Sequence, residues 1–178
     1  DEHPRLSTIE VLGGLKPAFK KDGTVTAGNS SGINDGAAAC LIVSEAFLKQ
    51  HNLTPIAKIK SIGVAGVDPA YMGIGPVPAT QKALKNDQIE IGDIDVFELN
   101  EAFAAQAVAC MDELAIDPSK VNNNGGSIAI GHPLGASGTR ISATLLHQMK
   151  KNPKLKLGLA TMCIGVGQGS AILFENAQ

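Results

Sequence analysis

Tryptophan is absent from this chain of 178 residues, and aromatic residues of all kinds make up only 3% of it. A core without large rings has to be filled by Ala, Val, Ile and Leu, which suits stacked helix and sheet layers better than an aromatic-filled sandwich. Concentrated charge is missing too. The 15 basic and 17 acidic residues leave a formal charge of −2 and form no long run, so the basic footprint that nucleic-acid binding requires is lacking. No apolar stretch approaches the roughly 20 residues needed to cross a bilayer, and a soluble domain is expected. Cysteine is sparse: Cys40, Cys110 and Cys163 are far apart and odd in number. They form no disulfide framework, and no C-x-x-C or H-x-x-x-H spacing points to zinc. A reducing compartment is expected. Residue 1 is Asp rather than Met, so the gene product is expected to begin earlier, and the lack of a targeting peptide carries no weight.

What the chain has is glycine, 20 residues of it, and 44% apolar residues, enough for one ordinary core. Residues 1 to about 36 are irregular and rich in Gly, Ser, Thr, Asn and Lys; strand-like and helix-like runs alternate after that. Ala39 to Ser44 is a short apolar run before an expected helix through Phe47 and Leu48, and the β-branched stretch Ile56 to Val67 predicts a long strand. Pro78 suits the first turn of a helix through Ala83 and Leu84. Asp93 to Asn100 predicts a strand, and Phe103, Ala104, Ala107, Val108, Met111, Leu114 and Ala115 repeat at helical steps until Asp117-Pro118. Val121 to Asn124 predicts a short strand entering a Gly-rich loop. A helix from Ser137 to about Lys150 follows, with Ile141, Leu145 and Met149 as its buried stripe. Leu155 to Met162 and Ser170 to Glu175 predict two strands whose tight Gly-rich link favours an antiparallel hairpin. From Ile56 onward the order is β-α-β-α-β-α-β-β, an α/β layer with a mostly parallel sheet and one antiparallel strand. No internal repeat is visible.

Three loops follow predicted strands, where open α/β sheets place their sites. They are Asn100 to Phe103 (NEAF), Asn124 to Gly138 (NGGSIAIGHPLGASG) and Cys163 to Gly169 (CIGVGQG). Each alone has an ordinary explanation: a strand-end Asn caps a turn, a His before Pro is structural, a strand-end Cys is a small core residue. Gly165 to Gly169 spells G-x-G-x-G, which misses the dinucleotide spacing and leads into a strand, so Rossmann-type nucleotide binding is not expected.

Taken in order, the three motifs resemble the thiolase family. So do DEHPR at the start, GTVTAGNSSGINDGAA at residues 23 to 38 and MGIGP at 72 to 76. The resemblance runs over nearly the whole chain. It implies a thiolase-like three-layer α/β/α half with a five-stranded mixed sheet, mostly parallel with the last strand antiparallel. It also implies a division: residues 1–36 as the end of the loop domain, 37–54 as the last strand and helix of the N-terminal half, and 55–178 as the C-terminal thiolase domain. The family's acylated cysteine belongs to a first half for which this chain has no motif; Cys40 and Cys110 are expected to be packing residues.

The residues implicated follow from the same resemblance. His132, of GHP, matches the histidine that makes the nucleophilic cysteine a thiolate, the reactive form of a group with an ordinary pKa of about 8.5. Cys163 matches the proton-shuttling cysteine. A thioester α-proton is weakly acidic, so its removal needs a close base and donors for the enolate oxygen. Those donors match His132 and a water held by Asn100. The backbone N–H of Gly165 matches part of a second oxyanion hole. Ala27, Ser31 and Gly32 match the segment touching the pantetheine arm of coenzyme A, and Phe19 and Met72 match apolar residues of that tunnel and its acyl end. The expected activity of the intact protein is the reversible Claisen condensation of two acetyl-CoA to acetoacetyl-CoA and CoA. The alternatives are a degradative 3-ketoacyl-CoA thiolase or a non-catalytic acyl-CoA-binding subunit. Ketoacyl synthases typically use two histidines, whereas one histidine with Cys163 resembles thiolase. No cofactor or metal is expected, only coenzyme A thioesters as substrates. Partners would be the missing N-terminal half and a second or fourth copy, as homodimer or homotetramer, with neither nucleic acid nor membrane. The cytoplasm is the expected compartment, with mitochondrion and peroxisome as alternatives.

Overall fold

A computed structural model of the chain describes residues 3–178; Asp1 and Glu2 of the DEHPR segment lie outside the described residues. Four strands are present: β1 (Ala57–Gly66), β2 (Val96–Leu99), β3 (Leu157–Ile164) and β4 (Gln168–Asn176). They form one sheet in the order β1-β4-β3-β2. The pairs β1–β4 and β4–β3 are antiparallel and β3–β2 is parallel, so only the last strand runs against the other three. The helices are α1 (Ile9–Gly13), α2 (Glu45–His51), α3 (Pro76–Asp87), α4 (Ala104–Leu114), α5 (Ser127–Ile130) and α6 (Ser137–Lys151). None is long and apolar enough to cross a membrane among the described residues.

The sheet therefore has four strands where five are expected. The missing one is Val121 to Asn124, which reaches β2 through a single bridge, Val121 with Phe97. Asn122 turns the chain away with φ of 50°, a conformation Asn tolerates better than most residues. Its side chain then does what a strand would. Asn122 Oδ1 accepts from the Leu99 N–H at 2.9 Å, and its Nδ2 donates to the Leu99 carbonyl at 2.8 Å. The apolar run Ala39 to Ser44 is likewise not in a ladder; it is extended before α2, with Leu41 and Ile42 exposed.

The period-2 alternation of the strands splits the core into two layers. Phe97, Leu99, Leu159, Ala171 and Leu173 face α3 and α4, packing with Val77, Ala83, Ala107 and Leu114. On the opposite face Val96, Ala160 and Phe174 pack with Ile141, Leu145 and Met149 of α6, the stripe expected from its spacing. Because β2 and β3 are parallel neighbours, their C-terminal ends coincide. Leu99 pairs with Thr161, and the N–H of Asn100 donates to the Thr161 carbonyl at 3.0 Å. Asn100 and the end of β3 that carries Cys163 thus share one edge of the sheet.

Candidate active site

Two loops and a hairpin meet at that edge: the NEAF loop between β2 and α4, the Gly-rich loop before α6, and the β3–β4 turn. An irregular N-terminal segment is laid across the first two. The Ser31 N–H and hydroxyl both donate to the Ala102 carbonyl, at 3.0 and 3.2 Å. The His132 N–H donates to Gly32 O at 3.2 Å and to Asn34 Oδ1 at 3.0 Å. Gly131, just before it, has φ of 93°, which a residue with a Cβ rarely adopts; a Cβ there would also press on the Asn34 amide.

The His132 ring is buried and held at both nitrogens. Nδ1 lies 2.6 Å from Ser137 Oγ. That hydroxyl can give its one proton to the Pro133 carbonyl at 3.0 Å, and in that arrangement it accepts from the ring and Nδ1 carries hydrogen. Nε2 is then the bare nitrogen, and Asn100 Nδ2 lies 3.3 Å from it. Asn100 Oδ1 in turn accepts from Ser127 Oγ at 2.6 Å, and Ser127 Oγ accepts from Arg140 Nη2 at 2.7 Å. Arg140 Nε is buried and has no hydrogen-bond partner among the described residues.

The surroundings push the two reactive groups in opposite directions. Burial, with the nearby Arg140 charge, lowers the pKa of His132 from its ordinary value, so at neutral pH the ring is an uncharged base. Burial raises the pKa of the Cys163 thiol, with a backbone hydrogen bond opposing in part. One neutral base and one protonated acid at a shared sheet edge is the separation that acid–base chemistry needs. Below them, Glu98 on β2 is pushed by burial up to about 7, although Gln148 donates to it at 2.7 Å and Arg140 lies near. Glu101 of the NEAF loop is more openly held: it accepts from Asn122 Nδ2 at 2.9 Å and from the Ile128 N–H at 3.2 Å.

Gly165 is exposed at the start of the hairpin turn, two residues beyond Cys163. The next residue, Val166, has φ of 63° and is 82% exposed. A β-branched residue in the left-handed region is strained, and such strain collects where a loop's shape is used. The hairpin is clamped twice: the Val67 N–H, just after β1, donates to Gly167 O at 2.8 Å, and the MGIGP segment lies so close that a Cβ on Gly169 would collide with the Gly75 carbonyl.

The remaining expected residues are more scattered. Met72 is half-buried in the 3₁₀ turn Pro69–Ile74, which packs on α4 and the β3 and β4 ends. Ala27, itself exposed, opens a 3₁₀ turn capped by the buried Thr26. Phe19 is exposed apart from an edge-to-face contact with Phe103, ring centres 5.7 Å apart. Cys110 is buried, its thiol pushed by burial up to about 11, and donates to Gly73 O at 3.3 Å; Cys40 is exposed, not packed. Sequence reasoning did not single out Asn34, Ser127, Ser137 or Arg140. Ser137 and Arg140 could have been found from the GHP loop's own helix start; Asn34, 98 positions from His132, had no local signal.

Comparison with known proteins gives a consistent result. The family model for the thiolase C-terminal domain matches residues 53–176, and that for the thiolase N-terminal domain matches residues 1–46. An acetyl-CoA acetyltransferase of Escherichia coli K12 is 59% identical over 176 residues, covering 98% of this chain and 44% of that protein. The crystal structure of the Bacillus anthracis acetyl-CoA acetyltransferase superposes with a TM-score of 0.95 at 50% identity, over 99% of this chain and 45% of that one. Human mitochondrial 3-ketoacyl-CoA thiolase, solved in complex with CoA, gives 0.92 at 46% identity, over 100% of this chain and 45% of that one. The chain spans less than half the length of these relatives.

Proposed function

This chain belongs to the thiolase family, and from that membership we propose that it carries the acid–base half of an acyl-CoA C-acyltransferase whose intact form condenses two acetyl-CoA reversibly to acetoacetyl-CoA and CoA. The observation that carries the reading is the buried pair Asn100 and His132, 3.3 Å apart, beside the β3 end that bears Cys163. In this reading the acyl-accepting cysteine comes from sequence outside the chain. Residues 1–36 end a loop domain, 37–54 complete the first half and 55–178 are the second half. The intact enzyme is a soluble, cytoplasmic dimer or tetramer.

His132 takes the proton of the incoming nucleophilic thiol, which its neutral, lowered-pKa ring can do at pH 7. The thiolate displaces CoA from the first acetyl-CoA, and Cys163, an acid with a raised pKa, gives its proton to the departing CoA thiolate. Cys163, now a thiolate and a strong base, removes the α-proton of the second acetyl-CoA. The enolate oxygen is held by His132 and a water on Asn100 while the enolate carbon attacks the acetyl-enzyme. The Gly165 N–H helps bear the tetrahedral oxyanion, and expulsion of the enzyme thiolate releases acetoacetyl-CoA. Ala27, Ser31 and Gly32 bear on the pantetheine arm, with Phe19 and Met72 on the apolar walls.

Rapid-quench labelling with radioactive acetyl-CoA tests this in the full-length protein. His132→Ala is expected to slow acetyl-enzyme formation about 10²–10⁴-fold. Cys163→Ala is expected to form the acetyl-enzyme and stall in condensation, and the 178-residue chain alone to turn over nothing. Condensation at wild-type rate by Cys163→Ala sinks the assignment. The 46% identity to a 3-ketoacyl-CoA thiolase supports longer chains as the second reading. Met72→Ala separates the two: with acetoacetyl-CoA as natural substrate, it should shift relative kcat/KM toward eight-carbon substrates by about 1–3 kcal/mol. No shift removes Met72 from the acyl pocket.

A further inference from the structure

An asparagine amide has nearly the same shape either way round, so packing alone does not decide whether Asn100 offers its nitrogen or its oxygen to His132. The choice has consequences. With Nδ2 toward the ring, Nε2 must be bare; with Oδ1 toward it, Nε2–H would be favoured and Ser137 would only have to rotate its hydroxyl to serve the other nitrogen. Ser127, the next group along, is equally ambivalent, since a hydroxyl donates or accepts.

The symmetry is broken at the ends. Arg140 Nη2, a pure donor, reaches Ser127 Oγ at 2.7 Å, and at the other end the Pro133 carbonyl, a pure acceptor, takes the Ser137 proton at 3.0 Å. Between them lie Ser127, Asn100, His132 and Ser137, linked at 2.6, 3.3 and 2.6 Å. With a neutral ring, only one arrangement of protons satisfies every link and gives the buried Ser127 hydroxyl an acceptor for its own proton, and it runs from the guanidinium to the carbonyl. We propose that Arg140 and Ser127 are positioning residues: they fix which end of the Asn100 amide faces His132 and thereby keep Nε2 bare and ready to accept a proton. Arg140 suits this task, because a guanidinium never loses its protons and so never reverses the chain. Burial lowers its pKa from the ordinary value, and the charges of Glu98 and Glu101 oppose that shift and favour its charged form. When Nε2 takes a proton, the Asn100 N–H meets another donor, so the ring is driven to pass the proton on. The inference rests on His132 being the base of the proposed reaction.

The test is the tautomer of His132, read from the two ring-nitrogen shifts in protein labelled with ¹⁵N-histidine and assigned by His132→Gln. Wild type is expected to show a protonated Nδ1 and a bare Nε2. Ser127→Ala is expected to give a mixture of tautomers, and Ser127→Thr, which keeps the hydroxyl, to restore the wild-type pattern. Any other result from this pair overturns the proposal. Should Ser127→Ala fail to fold, Arg140→Gln, which can donate or accept, is expected to mix the tautomers while Arg140→Lys, a pure donor, keeps them. The same rule then decides. In the full-length enzyme Ser127→Ala should lower kcat on the order of tenfold with little change in KM, as for other partners that orient a working histidine. The nitrogen shifts need no turnover, so an inactive enzyme with the expected tautomers would remove the functional reading and leave the positioning role standing.

Discussion

Leu145 and Leu41 are the same side chain in opposite surroundings. Leu145, on α6, is wholly buried against the sheet, while Leu41, in the extended stretch before α2, is 78% exposed. The contrast extends to the regions around them. From β1 onward, apolar residues close two core layers; before it, Leu6, Ile9, Ile33 and Ile42 are all largely exposed. The sheet region is shaped by burial. The N-terminal region is held by a few polar ties to the site, through Ser31, Gly32 and Asn34, and by the Phe19–Phe103 ring contact. The groups of the candidate site therefore sit on a packed foundation, and the segment proposed to meet coenzyme A is fastened to them by hydrogen bonds.

Truncation tests the difference most strongly. Leu145→Ala should cost about 2–5 kcal/mol of folding stability by chemical denaturation, and Leu41→Ala should stay within about 0.5 kcal/mol. Equal losses would break the comparison.

The packed region also holds a carboxyl, and its titration sharpens the contrast. Burial moves Glu98 from an ordinary value of 4.5 up to about 7. Unfolded chains ionise this group first, so its contribution is complete below pH 4.5 and is lost as pH rises toward 7. The loss is on the order of 3 kcal/mol. Glu98→Gln, which keeps an oxygen for Gln148, should flatten the stability profile in that window. No exposed carboxylate of the N-terminal region should do the same, and an unchanged profile in Glu98→Gln would refute the buried titration.

The smallest effect is expected at the tie itself. Asn34→Ala removes one of the two acceptors of the His132 N–H and should cost about 1 kcal/mol, appearing as faster amide exchange over residues 30–34. The α6 amides should keep their protection. Uniform loss of protection would mean that the N-terminal segment is part of the packed unit.

Much of this was legible from the residues. The steps from Phe103 to Ala115 located α4, Ile141, Leu145 and Met149 marked the buried face of α6, and the Gly-rich turn announced an antiparallel hairpin. The β-branched Val121 argued for a fifth strand, but Asn122 in the left-handed region ended it at once. Ala39 to Ser44 is an apolar run that the family resemblance makes part of a strand, yet among the described residues it joins no ladder. Asn100, His132 and Cys163 were legible through their motifs. Their partners were not, because a hydroxyl or guanidinium acquires a role only when folding brings it across from another element: Ser127 is 27 positions from Asn100, and Asn34 is farther still from His132.

Asn122 has a consequence for the chain's behaviour in a crowded solution. A bare outer strand is a template on which another polypeptide can add itself, backbone to backbone. At the β2 side the Phe97 carbonyl takes the Asn122 N–H at 2.9 Å, and both backbone groups of Leu99 are taken by the same residue's amide. Asn122 thus occupies these backbone groups of β2, which a stranger would otherwise extend, and releases the chain at once into the loop that carries His132.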